Sequence, residues 1–203
     1  MKSLICLSGK RNSGKTTAER FILNQLENMA VSYPMATLLK DIICRLTGCS
    51  KSDLDNQDFK KLFSFYTVDN QNLTYRELLI HLGRVFRKDN NDIFINDVLN
   101  FLKGCNKPCV IIPDVREVRE VNVLKQYCDN NDIKFISIRI NRPDSVIEDN
   151  LSNDKTETDL DTYVFDYCIC NNSDINDLYA KLYDILIDND ITFKTYYQQQ
   201  LSF

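Results

Sequence analysis

The sequence predicts an α/β fold in which a parallel sheet is covered by helices on both faces. Three observations carry that prediction. Apolar strand-like runs alternate with helix-period segments about five times along the chain. The runs Leu4-Ile5-Cys6-Leu7 and Cys109-Val110-Ile111-Ile112 are apolar at every position, as in a strand buried on both faces. The first run leads into a turn bounded by Gly9 and Gly14 and then into an amphipathic start, Thr17-Ala18-Glu19-Arg20-Phe21.

The elements follow in order. A helix is expected over about 15–29, then a short strand Val31–Ala36 running into a turn. Helix Thr37–Leu46 has apolar residues at helical spacing and is stopped by Gly48. Ser52 or Asp53 is expected to cap a third helix through Asp58–Phe63, and Asp69–Asn72 reads as a loop. Thr74, with Glu77 three residues on, forms a capping box for a helix from Tyr75 to about Lys88. Its expected buried stripe is Leu78, Leu79, Leu82, Val85 and Phe86, with Arg76, Gly83 and Arg87 projecting elsewhere. Another helix, Ile93–Lys103, ends at Gly104. Strand Cys109–Ile112, helix 117–130, strand Lys134–Ile140, strand Asp166–Cys170 and helix Leu178–Ile187, capped by Ser173 or Asp174, complete the pattern.

A chain of 203 residues suits one α/β domain with a full core, and its 43% hydrophobic and 27% charged residues are those of an ordinary globule. The net charge of -4 argues against bulk nucleic-acid binding. No apolar run approaches the ~20 residues of a membrane span, and the first strand begins almost at Met1, so no targeting segment is expected. Of the eight cysteines, Cys6, Cys44, Cys109, Cys128, Cys168 and Cys170 lie in apolar surroundings. With one histidine and no second pair to match Cys168-Ile169-Cys170, they read as reduced core thiols in a cytoplasmic protein rather than as a metal site. Richness in Asn, Asp, Lys and Ile suggests an AT-rich genome, as in many phages and low-GC bacteria.

The turn Gly9-Lys10-Arg11-Asn12-Ser13-Gly14-Lys15-Thr16 fits G-x-x-x-x-G-K-[ST] without a mismatch, with strand before and helix after. Glycine lets backbone N–H groups converge on phosphate, and the positive end of the following helix faces the same anion. Lys15 would reach the β- and γ-phosphates and the Thr16 hydroxyl would ligate Mg²⁺. Asp114, at the carboxyl end of a buried strand, is the candidate for the Mg²⁺ shell, partly through water. The alternative for Asp114 is a helix cap. Phosphoryl transfer also needs cationic forks around the phosphate oxygens, and Arg11, Arg76, Arg87, Arg116, Arg139 and Arg142 are the candidates. The polar stretch Asn150–Thr162 is either a surface loop or part of a lid that excludes water.

These residues resemble a family. Leu7-Ser8-Gly9-Lys10-Arg11-Asn12-Ser13-Gly14-Lys15 is similar to the loop of phage deoxynucleoside monophosphate kinases, and equally to that of animal-type phosphomevalonate kinases. The likeness continues at Ala36–Asp41, at Arg76–Gly83 followed by Arg87, and at Pro113-Asp114-Val115-Arg116. It closes with Thr156–Leu160, Asp166-Tyr167 and Asn171-Asn172. The resemblance implies a three-layer α/β/α P-loop kinase fold: one domain over 1–203 with a five-stranded parallel sheet. An acceptor-binding helical region would cover about 36–103, a lid about 141–162 and a C-terminal tail 188–203.

On that resemblance Lys15, Thr16 and Asp114 would handle ATP and Mg²⁺, and Lys10 and Arg11 would touch the transferred phosphate. Gly9, Asn12, Ser13, Gly14, Thr17 and Arg142 would complete the ATP site. Lys40, Arg76, Arg87 and Glu157 would hold the acceptor, and Arg116 would bridge the two phosphates. Three positions depart from the family pattern: His81 replaces a glutamine, Thr16 replaces a frequent Asp, and Lys155 stands before Thr156-Glu157 where phage relatives often have a histidine. The expected activity is ATP-dependent phosphorylation of a (deoxy)nucleoside monophosphate by a cytoplasmic monomer or homodimer. A phosphomevalonate-kinase-like enzyme and a non-catalytic nucleotide-binding module are the alternatives. A GTPase is disfavoured because no N-K-x-D motif is present. Among Phe59, Phe63, Phe65, Tyr66 and Tyr75, one is a candidate to stack on a base, the others being core.

Overall fold

The structure, a computed structural model, describes residues 1–143 and 159–191. The chain divides into two compact units, Met1–Pro34 with Leu99–Phe203, and Met35–Val98.

The first unit is built on strand β1 (Ser3–Ser8), every residue of which is buried. It pairs in parallel with β5 (Cys109–Ile112) on one side and β6 (Lys134–Asn141) on the other. The short β2 (Ala30–Ser32) extends the sheet beyond β5, and β7 (Tyr167–Cys170) extends it beyond β6. The resulting order is β2-β5-β1-β6-β7, with all neighbours parallel. Parallel neighbours need crossovers, and among the described residues helices lie between β1 and β2 and between β5 and β6. Pleating sends Ile5 and Leu7 to one face, where they meet Ala18, Ile22 and Leu26 of α1 (Lys15–Leu26) and Leu178, Leu182 and Leu186 of α7 (Ile175–Asp188). Leu4 and Cys6 point to the opposite face and are equally buried. Full burial of one such Leu or Ile side chain is worth about 2 kcal/mol. That face explains why the two runs carry no alternation.

The second unit packs α2 (Thr37–Thr47), the short α3 (Lys51–Asp55), α4 (Tyr75–Asp89) and the start of α5 (Ile93–Gly104). Its core is Leu39, Ile43, Leu54, Tyr75, Leu78 and Phe94. The expected capping box is present: Thr74 Oγ1 accepts from the Glu77 N–H at 3.2 Å, and Glu77 accepts from the Thr74 N–H at 2.8 Å.

Several expectations are corrected in this unit. The helix expected through Phe63 is instead one 3-10 turn, Phe59–Lys61, and the third helix lies earlier, capped by Ser50 rather than Ser52 or Asp53. Phe63–Val68 forms β3 and Gln71–Thr74 forms β4, an antiparallel hairpin. The reason is the turn. Val68 pairs with Gln71, so only Asp69 and Asn70 connect the strands, and both have positive φ, 50° and 62°. Two left-handed residues match the twist of a tight hairpin, and Asp and Asn tolerate that region. Leu62–Val68, rich in β-branched and aromatic residues, then reads as strand rather than helix. On α4, Val85 is exposed and Gly83 buried, the reverse of expectation, because the stripe runs through Tyr75, Leu78 and Gly83. Phe59 and Tyr75 pack against one another, rings tilted by 37° and centroids 4.6 Å apart, whereas Phe63 and Phe65 are exposed. In the first unit Cys168 and Cys170 are exposed rather than core, on the open edge strand β7. The expected lid and tail fall mostly outside the described residues. No helix among the described residues is long and apolar enough to cross a membrane.

Replacing Thr74 by Ala removes one half of the capping box and should lower stability by about 1 kcal/mol. Urea unfolding followed by circular dichroism measures this, and an unchanged midpoint would show that the box carries no weight.

Candidate phosphate-binding site

The parallel sheet brings the carboxyl ends of its strands to one edge, where ligands of such sheets bind. Ser8 ends β1 and pairs with Arg139 of β6, while Cys6 pairs with Ile112 at the end of β5. Gly9 and Asp114 therefore leave adjacent strands side by side, and the Val115 N–H donates to the Leu7 carbonyl at 3.2 Å.

Between β1 and α1 the loop Gly9–Gly14 turns through three positive φ values, at Gly9 (152°), Asn12 (61°) and Gly14 (108°). Both glycines are also required by space. A Cβ on Gly9 would collide with the Ile140 carbonyl oxygen and Ser13 Oγ, and one on Gly14 would lie 2.6 Å from Asn171 Nδ2. No side chain caps the N-terminus of α1 at Gly14, so the first amides of that helix open onto the loop. Lys15 folds over the loop, its Nζ donating to the carbonyls of Gly9 at 2.6 Å and Lys10 at 2.8 Å. Ser13 is buried, and among the described residues its Oγ finds no hydrogen-bond partner. Thr16 and Asn12 are exposed, and Arg11 and Thr17 are half-buried.

Side chains from other elements brace this loop. Asn171, buried just past β7, donates from Nδ2 to the Ser13 carbonyl at 2.8 Å, and its own N–H donates to the Asn141 carbonyl at 2.7 Å. Arg139 is buried. It donates to Ser8 Oγ at 2.9 Å and to Asp161 at 2.6 Å, which commits it to structure rather than to a phosphate. The other oxygen of Asp161 lies 3.2 Å from Lys10 Nζ. Ser8, Arg139, Asp161 and Lys10 thus form a ring closed through the loop backbone. Its strong member is the charge-assisted bond of the buried Arg139, since half-exposed pairs such as Lys10–Asp161 contribute little.

Asp114 is half-buried and does not cap the next helix, α6 (Val118–Asp129), whose cap position is Glu117. This removes the alternative reading of Asp114. The loop between Asp114 and α6 is held by Glu120, which is 3% exposed and accepts from the N–H groups of Arg116 at 2.7 Å and Glu117 at 3.2 Å. Burial pushes the Glu120 carboxyl up to about 7, more than the two N–H donors pull it down. Arg116 is exposed, as is Arg142 just after β6. Asp114 and Thr16 are hard oxygen donors of the kind Mg²⁺ takes, one or two at a time, with water and phosphate completing its shell.

The other predicted residues belong to the second unit. Lys40 pairs with Asp55 at 2.5 Å, Arg76 donates to Gln57 Oε1 at 2.9 Å, and the Arg87 guanidinium lies 4.9 Å from the centre of the Phe94 ring. Glu157 lies outside the described residues. The bracing roles of Glu120, Asp161 and Asn171 went unread in the sequence. Glu120 had one signal, an acid in the first turn of a helix after an Asp-x-Arg stretch. Asp161 had none.

No protein-family model matches the chain, and no curated protein matches it in sequence. Among solved structures it is similar to an APS kinase, CysC, from Mycobacterium tuberculosis, at 12% identity and a TM-score of 0.49 over 91% of this chain and 97% of that one. It is also similar to a shikimate kinase from Acinetobacter baumannii, at 15% identity and 0.48 over 95% and 97%. A tunicamycin resistance protein from Deinococcus radiodurans matches at 12% and 0.46 over 92% and 96%. At these values the likenesses carry no weight for activity. The fold assignment rests on the strand order and the loop themselves: an α/β domain with a five-stranded parallel sheet flanked by helices.

The folded protein holds the Glu120 proton more tightly than the unfolded chain does, so its contribution is fully present at low pH. That contribution falls as pH rises from about 4.5 to about 7. Glu120→Gln keeps an acceptor for both N–H groups and should flatten this part of the stability profile. Urea midpoints across the window measure it, and identical profiles for variant and parent would refute the assignment.

Proposed function

We propose that this protein is an ATP-dependent kinase whose acceptor is itself a phosphate, a (deoxy)nucleoside monophosphate. The observation that carries the reading is the loop Gly9–Thr16: its two sterically required glycines, the open N-terminus of α1 and a lysine already lying across it. Such a loop suits a polyanion. The acceptor side is supported by Lys40, Arg76 and Arg87 and by the sequence likeness around them.

In this reading the γ-phosphoryl group of ATP passes in line to an oxygen of the acceptor phosphate, giving a diphosphate and ADP. The acceptor is already an anion, so no strong base is needed, and positioning with charge neutralisation carries the rate. Lys15 exchanges its loop carbonyls for the β- and γ-phosphates. Lys10 and Arg11 meet the transferring group, and Arg116 spans donor and acceptor phosphates. Arg76 and Arg87, with Lys40, hold the acceptor phosphate, and bidentate guanidinium contacts fix its direction. Thr16 and Asp114 would hold Mg²⁺ accompanying the nucleotide, which would supply neutralisation of the phosphate charge.

An ADP-release assay across deoxynucleoside monophosphates, nucleoside monophosphates and phosphomevalonate tests the proposal. Turnover is expected with one of the nucleotides. Turnover with phosphomevalonate alone would move the protein to the other kinase class, and none with any acceptor would leave only a nucleotide-binding module. Lys15→Ala should abolish turnover in the same assay. Arg76→Ala should raise the KM for the acceptor about 10-fold or more while leaving the KM for ATP near its parent value, given the usual worth of a charged hydrogen bond. Equal acceptor KM in the two proteins would remove Arg76 from the acceptor site.

A further inference from the structure

Helix α2 ends in a left-handed C-cap: Gly48 has φ 77°, and its N–H donates to the Cys44 carbonyl at 2.9 Å. This is the single-bond left-handed cap, and just past it the Cys49 N–H donates to the Thr47 hydroxyl at 3.4 Å. The turn folds Cys49 back toward Cys44 on the last turn of the helix. Both are half-buried against the same apolar cluster, and their thiols lie within hydrogen-bonding reach of one another. The Thr47 hydroxyl sits 3.1 Å from Cys49 Sγ, its proton shared between that sulfur and the Ile43 carbonyl at 2.8 Å.

We propose that Cys44 and Cys49 form a reversible disulfide, a modification site that staples the carboxyl end of α2. The oxidant is a low-molecular-weight disulfide such as oxidised glutathione. The Cys49 thiolate, just beyond the helix and next to the Thr47 hydroxyl, attacks one of its sulfurs. The small S–S bond breaks, one small thiol leaves, and a mixed disulfide forms. Cys44 then loses its proton and attacks Cys49 Sγ, expelling the second small thiol. Two protein thiols are oxidised and one small disulfide is reduced to two thiols.

Five of the six remaining cysteines are set apart by burial or by spacing. Cys6, Cys109 and Cys128 are buried, and burial pushes their thiols up, to about 12 for the last two. Cys168 and Cys170 share a face of β7, but residues two apart on a strand are about 6.7 Å from each other, at the limit for a disulfide.

The test needs no variant that must fold. The full chain is incubated with oxidised glutathione, its remaining thiols are alkylated, and it is digested with trypsin without reductant. Cleavage after Lys40, Arg45 and Lys51 separates the two cysteines. The expected product is Asp41–Arg45 linked to Leu46–Lys51, lighter than the sum of the reduced peptides by two hydrogen atoms and abolished by dithiothreitol. Cys49→Ser should yield no linked pair. Recovery of the two wild-type peptides as separate glutathione adducts or as alkylated thiols would overturn the proposal.

Discussion

The site depends on how closely other backbone and side chains approach the loop after β1. Ile140 brings its carbonyl against Gly9, and Asn171 brings its amide against Gly14. Neither approach leaves room for a Cβ. The loop is therefore shaped from outside, by the ends of β6 and β7, as much as by its own glycines. Parallel pairing of β1 with both β5 and β6 is what brings those ends there. The buried runs of the sheet thus determine where a phosphate would be held.

Charge is handled unevenly around that loop. Arg139 is withdrawn into the sheet and tied to Ser8 and Asp161, so its positive charge is locally neutralised. Lys10 shares the same carboxylate but remains half-exposed, so it can exchange that partner for an arriving phosphate at small cost. Lys15 is held on carbonyl oxygens, partners weaker than phosphate. The buried Glu120 takes up the amides of Arg116 and Glu117 and so holds the backbone that presents Asp114. Lys10, Lys15 and Asp114 thus each stand beside a group that can give way to a ligand or that fixes the local backbone.

The second unit shows how local chemistry can override a plausible periodicity. Asp58–Phe63 has apolar residues at helical intervals, yet only Phe59–Lys61 keeps a helical turn, and from Phe63 on the two left-handed residues Asp69 and Asn70 fold the chain into a hairpin. Alternation in Phe63–Val68 and a two-residue Asp-Asn turn were both present in the sequence. The same unit places Cys44 and Cys49 together where the chain turns back at Gly48, with the Thr47 hydroxyl against Cys49.

The sequence by itself determined the parallel sheet, the phosphate-loop motif, the Thr74–Glu77 capping box and most helix ends, because each rests on residues close together in the chain. Burial on both faces of a strand and a capping residue are local statements. What only the tertiary structure decided is long-range. Arg139 and Ser8 are far apart in sequence and become partners through the register of two parallel strands. Asn171 reaches Ser13 because β7 ends beside β6. The sequence marked Arg139 only as one arginine among several. Whether an arginine meets a phosphate or braces a loop depends on what its strand neighbours place beside it, and no local pattern encodes that.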